Sequence, residues 1–290
     1  MITLFSHLNR EEAHSFSLVL SSAGIGNRVI ASQGGYCIDV PQACAAAARD
    51  AIRRYQSENP IIEVAVPIPR SRPFQNYFSG VAVSLLLLTV YLAVSASVAP
   101  DDYITTFGAD ARRIMGGERY RCVTALLLHA DAAHLAGNMA GSILFGGAVG
   151  AVTGSGVGWL MILASGFLGN LANAAAHDSG HLSVGASTAV FGAVAILCGL
   201  QAVSSLKTGK GWKRVLVIFG AGVALLAFLG TSARSDVGAH LFGFLAGLPM
   251  VGGYGYGLWM GRRVEKKGQF VCGAIAASGL LLSWVQGLLR

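Results

Sequence analysis

Residues 183–202 read Ser183-Val-Gly-Ala-Ser187-Thr-Ala-Val-Phe191-Gly-Ala-Val-Ala-Ile-Leu-Cys198-Gly-Leu-Gln-Ala202, without one charged side chain. The hydrocarbon core of a bilayer is about 30 Å thick and about 20 helical residues cross it, so this run predicts a membrane span. Uncharged stretches of similar length recur on both sides, at 77–99, 132 to about 152, 157–176, 215–230, 237–260 and 269–289. With residues 183–202 these make seven spans on a hydropathy-window criterion. Two features do not suit plain bilayer helices. Ser187 stands near the start of its run, and His240 lies inside another.

Composition agrees with a polytopic membrane protein. Hydrophobic residues make up 53% of the chain and charged residues 12%, against about 25% charge in soluble domains. The mean hydropathy is +0.58. The net charge of +7 comes from bases in the N-terminal segment and the short loops between apolar runs. No basic stripe interleaved with aromatics accompanies them, so no nucleic-acid partner is expected. Cys37, Cys44, Cys122, Cys198 and Cys272 are odd in number and lack metal-ligand spacing, so neither a disulfide framework nor a metal site is implied. The opening run Met1 to Phe5 is too short for a signal-peptide core, and no cleaved leader is expected.

Residues 1–60 have a different character. A β-like segment at 2–5, a helical one at 10–23, paired strands at 27–31 and 36–40 and a helix at 42–55 predict a small soluble α/β domain. Ser32-Gln33-Gly34-Gly35 supplies the turn, and Pro41 suits the first position of the last helix. A linker rich in Pro and Arg follows at 61–75, then a six-span core at 76–260, then a basic loop and a seventh span at 261–290.

Short-loop bases set the orientation. Lys207, Lys210, Lys213 and Arg214 precede the fifth span, Arg262, Arg263, Lys266 and Lys267 follow the sixth, and Arg70 and Arg72 precede the first. All fall on one side, which the positive-inside rule makes cytoplasmic together with the N-terminal domain. The opposite connection carries Arg112, Arg113, Arg119 and Arg121, balanced by Asp101, Asp102, Asp110 and Glu118.

In this topology the second, fourth and sixth spans enter from the outer face and bring His134, Asn138, Ser187 and His240 to similar depth. His134 and Asn138 are four residues apart and share one helical face. A serine hydroxyl needs a base to become a nucleophile, and the imidazole of His240 fits that role. Attack on a carbonyl builds negative charge on its oxygen. His134, Asn138 and the backbone N–H of Ser187 are the candidate donors to it. Polar side chains in spans are costly and mark functional sites, and peptide hydrolysis inside the membrane accounts for this set together.

These residues resemble the rhomboid family of intramembrane serine proteases over roughly 74–260. His129-Ala-Asp-Ala-Ala-His134-Leu-Ala-Gly-Asn138 is similar to its second-span signature, Gly185-Ala186-Ser187-Thr188 to its nucleophile motif, and Ala239-His240-Leu241-Phe242-Gly243 with Gly247 to its sixth-span motif. Glu118-Arg119-Tyr120-Arg121 stands where the family has a Trp-Arg pair, with Tyr120 replacing tryptophan. The resemblance implies an all-α polytopic fold with a rhomboid-like six-helix core, here extended by a seventh helix and the α/β domain. It implies Ser187 as nucleophile, His240 as base and no third acid, and no cofactor. His134, Asn138 and Ser187 would form the oxyanion hole, and His129, Gly185, Phe191, Gly243, Gly247 and Arg121 would support the site. The implied partners are single-span membrane proteins cleaved in or near their spans, within the lipid bilayer. The missing organelle-targeting leader makes a bacterial cytoplasmic membrane the expected location.

Each residue has a plainer reading. Serine and asparagine are common at helix interfaces, and an intramembrane histidine can serve as a hydrogen-bond donor. Ser235-Asp236 reads as a helix cap rather than a triad acid, and His177 and His181 as solvated loop residues. The absence of His-Glu-x-x-His argues against zinc. The rival functions are a catalytically silent rhomboid-like protein that binds membrane clients, and a transporter, for which no internal repeat is visible.

Overall fold

The computed structural model describes residues 1–32, 34–59, 73–177, 180–209, 211–230, 236–261 and 263–290. Gln33, the linker from 61 to 72 with Arg70 and Arg72, and Lys210, Ser235 and Arg262 lie outside the described residues. The chain divides into two compact units, Met1–Val64 and Ala65–Arg290.

In the first unit β1 (Ile2–Leu8), α1 (Arg10–Ser22), β2 (Arg28–Ser32), β3 (Gly35–Val40) and α2 (Ala45–Glu58) form an α/β domain. Its sheet is antiparallel in the order β1-β3-β2, with Ile2 opposite Val40 and Arg28 opposite Asp39. Asn9 and Glu12 cap α1 reciprocally, at 2.9 Å in each direction. Phe16, Leu20, Ile38, Val40, Ala48 and Ile52 are the buried core. Pro41 does not open the last helix. It caps a single 3₁₀ turn, Gln42–Cys44, and α2 follows.

Among the described residues, the second unit is all-helical but for one two-stranded ladder. Its elements are α3 (Pro73–Ser95), α4 (Pro100–Phe107), β4 (Ala109–Asp110), α5 (Ala111–Met115), α6 (Arg121–Thr124), α7 (Ala132–Gly141), α8 (Gly147–Thr153), α9 (Ser155–Ala176), β5 (Leu182–Ser183), α10 (Ser187–Lys207), α11 (Gly211–Gly230), α12 (Val237–Trp259) and α13 (Lys266–Leu288). Among the described residues, seven helical segments are long and apolar enough to cross a membrane, and this unit is an all-α, multi-pass membrane fold.

Two local departures from the sequence expectation matter. The second span is α7 and α8 joined by a π-helical turn, Ser142–Gly146. That turn packs tightly on α3, where a Cβ on Gly80 would lie 2.8 Å from the Ser142 carbonyl. The fourth span begins at Ser187 rather than 183. Leu182 and Ser183 extend to pair with Asp110 and Ala109, and Gly185 takes φ +126°, which a side chain would resist. The extended pairing and the glycine turn consume the residues that hydropathy assigns to the helix.

The helices approach closely where residues are small. A Cβ on Gly243 of α12 would collide with the Thr188 backbone of α10, and one on Gly247 with the Gly192 carbonyl. This crossing sets the distance between Ser187 and His240.

Candidate active site

Ser187 is the first residue of α10, delivered by the Gly185 turn. The turn is held from below by the Gly185 amide, which donates to the Ala125 carbonyl at 2.9 Å. One turn into α12, His240 is 5% exposed. Its Nε2 lies 2.8 Å from the Ser187 Oγ, within the range a general base needs. The Phe191 ring sits against the His240 imidazole at 4.7 Å between centroids, tilted by 38°.

α7 supplies a second wall. Asp131 caps it, accepting from the His134 amide at 2.8 Å. A Cβ on Gly185 would lie 2.6 Å from His134 Nε2 and 3.4 Å from Asn138 Nδ2, so both side chains close on the Gly185 turn. The absence of a side chain at Gly185 is what admits them. Asn138 is buried, and its Nδ2 has no hydrogen-bond partner among the described residues. A buried amide donor without an acceptor is rare and costs free energy unless a ligand or reacting group takes it.

His129 is buried below this wall, its ring edge-on to His134 at 5.2 Å. Its Nδ1 donates to the Leu127 carbonyl at 3.3 Å. Burial, aided by the neighbouring His134, pushes its pKa down to about 4, so the ring is neutral at ordinary pH.

Arg121 is 1% exposed. Its Nε donates to Glu118 at 2.6 Å and its Nη1 to the carbonyls of Thr105 and Gly108 at 2.8 and 3.1 Å. Burial disfavours the charged Glu118, but the Arg121 guanidinium outweighs this and holds the carboxyl below its usual range. Tyr120, in the aromatic position of that pair, is 5% exposed and its hydroxyl also donates to Glu118, at 3.2 Å.

Sequence reasoning was incomplete at the mouth of α12. Asp236 caps the helix, accepting from the Ala239 amide at 2.9 Å. His181, expected as a solvated loop residue, instead binds Asp236 at 2.7 Å. Asn173 Nδ2 donates to the same carboxylate at 2.8 Å. His177 stacks on His181 at 4.0 Å. These groups gather where α9 ends and α12 begins because a half-buried carboxylate needs donors. Burial raises the Asp236 pKa, but bonds from Ala239, His181 and Ser183 outweigh it and the net shift is downward. Asn170 and Asn173, three apart in the third span, were the available signal. Asn170 donates to the Cys122 carbonyl at 2.9 Å.

The arrangement is a hydroxyl bonded to an imidazole, beside a free amide donor, at one end of the helical bundle. Comparison with known proteins points the same way. The Rhomboid domain model matches residues 116–260, half of the chain. The rhomboid protease GluP of Bacillus subtilis is 29% identical over 198 residues, covering 63% of this chain and 38% of that protein. YdcA of the same organism is 28% identical over 134 residues, covering 46% and 66%. Rhomboid-like protease 2 of Toxoplasma gondii is 26% identical over 202 residues, covering 64% and 67%. The chain therefore spans less than two thirds of the length of either Bacillus relative.

Proposed function

The chain belongs to the rhomboid family, and from that premise we propose that it is a serine endopeptidase cleaving single-span membrane proteins in or near their membrane segments. The observation that carries the reading is the 2.8 Å hydrogen bond between Ser187 Oγ and His240 Nε2. His240 removes the hydroxyl proton as Oγ attacks the scissile carbonyl carbon. The carbonyl oxygen becomes an oxyanion, which the Ser187 backbone N–H, Asn138 Nδ2 and His134 face as donors. Collapse breaks the C–N bond, and the His240 proton goes to the leaving amine. Water, deprotonated by the same imidazole, then hydrolyses the Ser187 acyl ester and restores both groups.

The neighbours serve this chemistry. Phe191 orients the His240 ring, His129 supports the His134 wall, and Arg121 anchors the segment before the second span. Gly243 and Gly247 permit the crossing that joins nucleophile and base. A helical substrate hides its carbonyls in internal hydrogen bonds, so cleavage favours segments that glycine or proline lets unwind. By the distribution of loop bases, the site opens to the outer side of the membrane and the N-terminal α/β domain is cytoplasmic.

The test is incubation of the purified protein and its Ser187→Ala variant with a model single-span substrate, with fragments followed by gel and mass spectrometry. Cleavage inside or beside the span by the wild type alone is the expected result. Equal cleavage by Ser187→Ala would remove the assignment. A fluorophosphonate that fails to label Ser187 would favour the silent, client-binding reading.

A further inference from the structure

The seventh helix, α13, lies outside the six-span catalytic core, yet it is fastened to that core at both ends. Near its start, Gln269 donates from Nε2 to the Thr153 carbonyl at 2.7 Å and accepts at Oε1 from the Val157 amide at 3.0 Å. One side chain thus satisfies a carbonyl at the end of α8 and an amide at the start of α9, on either side of the Gly154 turn with φ +87°. The fit is tight, since a Cβ on Gly156 would collide with the Gln269 backbone.

Trp284 lies four turns further along α13, about 22 Å away at 1.5 Å per residue. Its ring stacks on Phe107 at 4.4 Å and 24°. A Cβ on Gly287 would crowd the Phe107 ring and lie 2.9 Å from that of Tyr120, so the helix backbone itself abuts this cluster. Arg290 reaches Glu118 at 3.9 Å.

What α13 grips here is the segment that holds the nucleophile turn. The Phe107 carbonyl accepts from Thr124 Oγ1 at 2.6 Å, and Arg121 ties Glu118 to Thr105 and Gly108. Two strand pairs, Ala109 with Ser183 and Asp110 with Leu182, join this segment to the approach of α10. The Ala111 amide donates to the His181 carbonyl at 3.0 Å, and the Ala125 carbonyl accepts from Gly185 at 2.9 Å. An unbroken series of packed rings and hydrogen bonds therefore runs from Trp284 to the residue two before Ser187.

We propose that α13 is a brace for the nucleophile turn and that Trp284 is its positioning residue, acting through Phe107 and the Ala125 carbonyl on Gly185. The catalytic consequence rests on Ser187 being the nucleophile, as proposed above, whereas the mechanical coupling does not. Gln269 anchors the brace at the far end of the bundle, and the Trp284 ring transmits that anchorage to Phe107.

The test compares wild type, Trp284→Ala and Trp284→Phe in lipid nanodiscs by hydrogen exchange and by fluorophosphonate labelling. The brace requires exchange in a peptide covering 181–190 to rise about tenfold or more in Trp284→Ala, with a peptide from the middle of α9 unchanged. Trp284→Phe, which keeps a stacking ring, should return exchange to near the wild-type rate. Labelling of Ser187 should slow about tenfold in the alanine variant and recover in the phenylalanine variant, with substrate KM within about twofold throughout. Unchanged exchange at 181–190 in Trp284→Ala would overturn the proposal. So would an equal rise in α9, which marks general loosening, or failure of Trp284→Phe to recover. A wild type that resists labelling removes the nucleophile reading, while the exchange measurement still decides the brace.

Discussion

The crossing of α10 with α12 and the adjoining helix α11 are built from the same apolar residue types, yet one is packed and the other is open. The most apolar stretch of α10 has mean hydropathy 2.0 with 61% of its residues buried, whereas α11 has 1.6 with 6% buried. The difference lies in shape. On α12, Gly243 and Gly247 sit on the backbone of α10. On α11, Gly220 has nothing within 4 Å of where a Cβ would be, and Val217 and Phe228 stand 71% and 84% exposed. Lipid and protein interior are equally apolar, so hydropathy places a helix in the membrane without choosing its neighbours. Small residues at matched positions choose them, and here they bring Ser187 and His240 together.

The largest break in this contrast is chemical. His240→Ala should reduce cleavage and fluorophosphonate labelling by about 1,000-fold or more, because the hydroxyl then has no base. The variant should keep its melting temperature within a few degrees, checked by thermal unfolding in detergent. Next, Asn138→Ala should lower kcat by about 100- to 1000-fold, as loss of an oxyanion donor does, with little change in KM. A fall below threefold would remove Asn138 from the oxyanion site.

The packing contrast itself is sharpened by paired glycine substitutions. Gly243→Ala should destabilise by about 1–3 kcal/mol, because the new methyl meets the Thr188 backbone and the helices must part. Gly220→Ala in α11 should be neutral or stabilising by up to about 1 kcal/mol, since helix propensity improves and nothing is struck. Unfolding in mixed micelles measures both, and equal effects would erase the distinction between the two regions.

The last break is a pH limb on the packed side, fully expressed only in acid. Burial pushes the His129 pKa down to about 4 in the folded protein, against an ordinary value of 6.5. As pH falls below 6.5 the unfolded chain takes up this proton first, so stability present above that pH is lost progressively toward pH 4. His129→Gln should flatten this part of the stability profile without altering it above pH 7.

Much of this was legible in the residues alone. Runs of about 20 uncharged positions mark membrane spans, and Ser187 and His240 stood out as polar residues within two of them. The four-residue spacing of His134 and Asn138 placed both on one face. In the N-terminal unit, alternation and turn residues located three strands and two helices within a few positions. Those features depend on local periodicity and chain direction, which a linear pattern records.

The remainder depended on partners distant in sequence. The start of α10 at Ser187 follows from Leu182 and Ser183 pairing with residues 109–110, and no property of 182–183 requires that. The bond from His181 to Asp236 joins two segments 55 residues apart, so His181 read by itself was a loop residue. Gln269 clamping the α8–α9 turn and Trp284 stacked on Phe107 are invisible for the same reason. The sequence by itself determined how many helices cross the membrane and which residue types could do chemistry, because transfer to hydrocarbon is a property of each segment alone. Only the tertiary structure decided that Ser187 meets His240 at 2.8 Å, that Asn138 keeps an amide free beside them, and that Trp284 of α13 stacks on Phe107. Contact depends on shape matched between helices, and shape becomes defined only when the chain is packed.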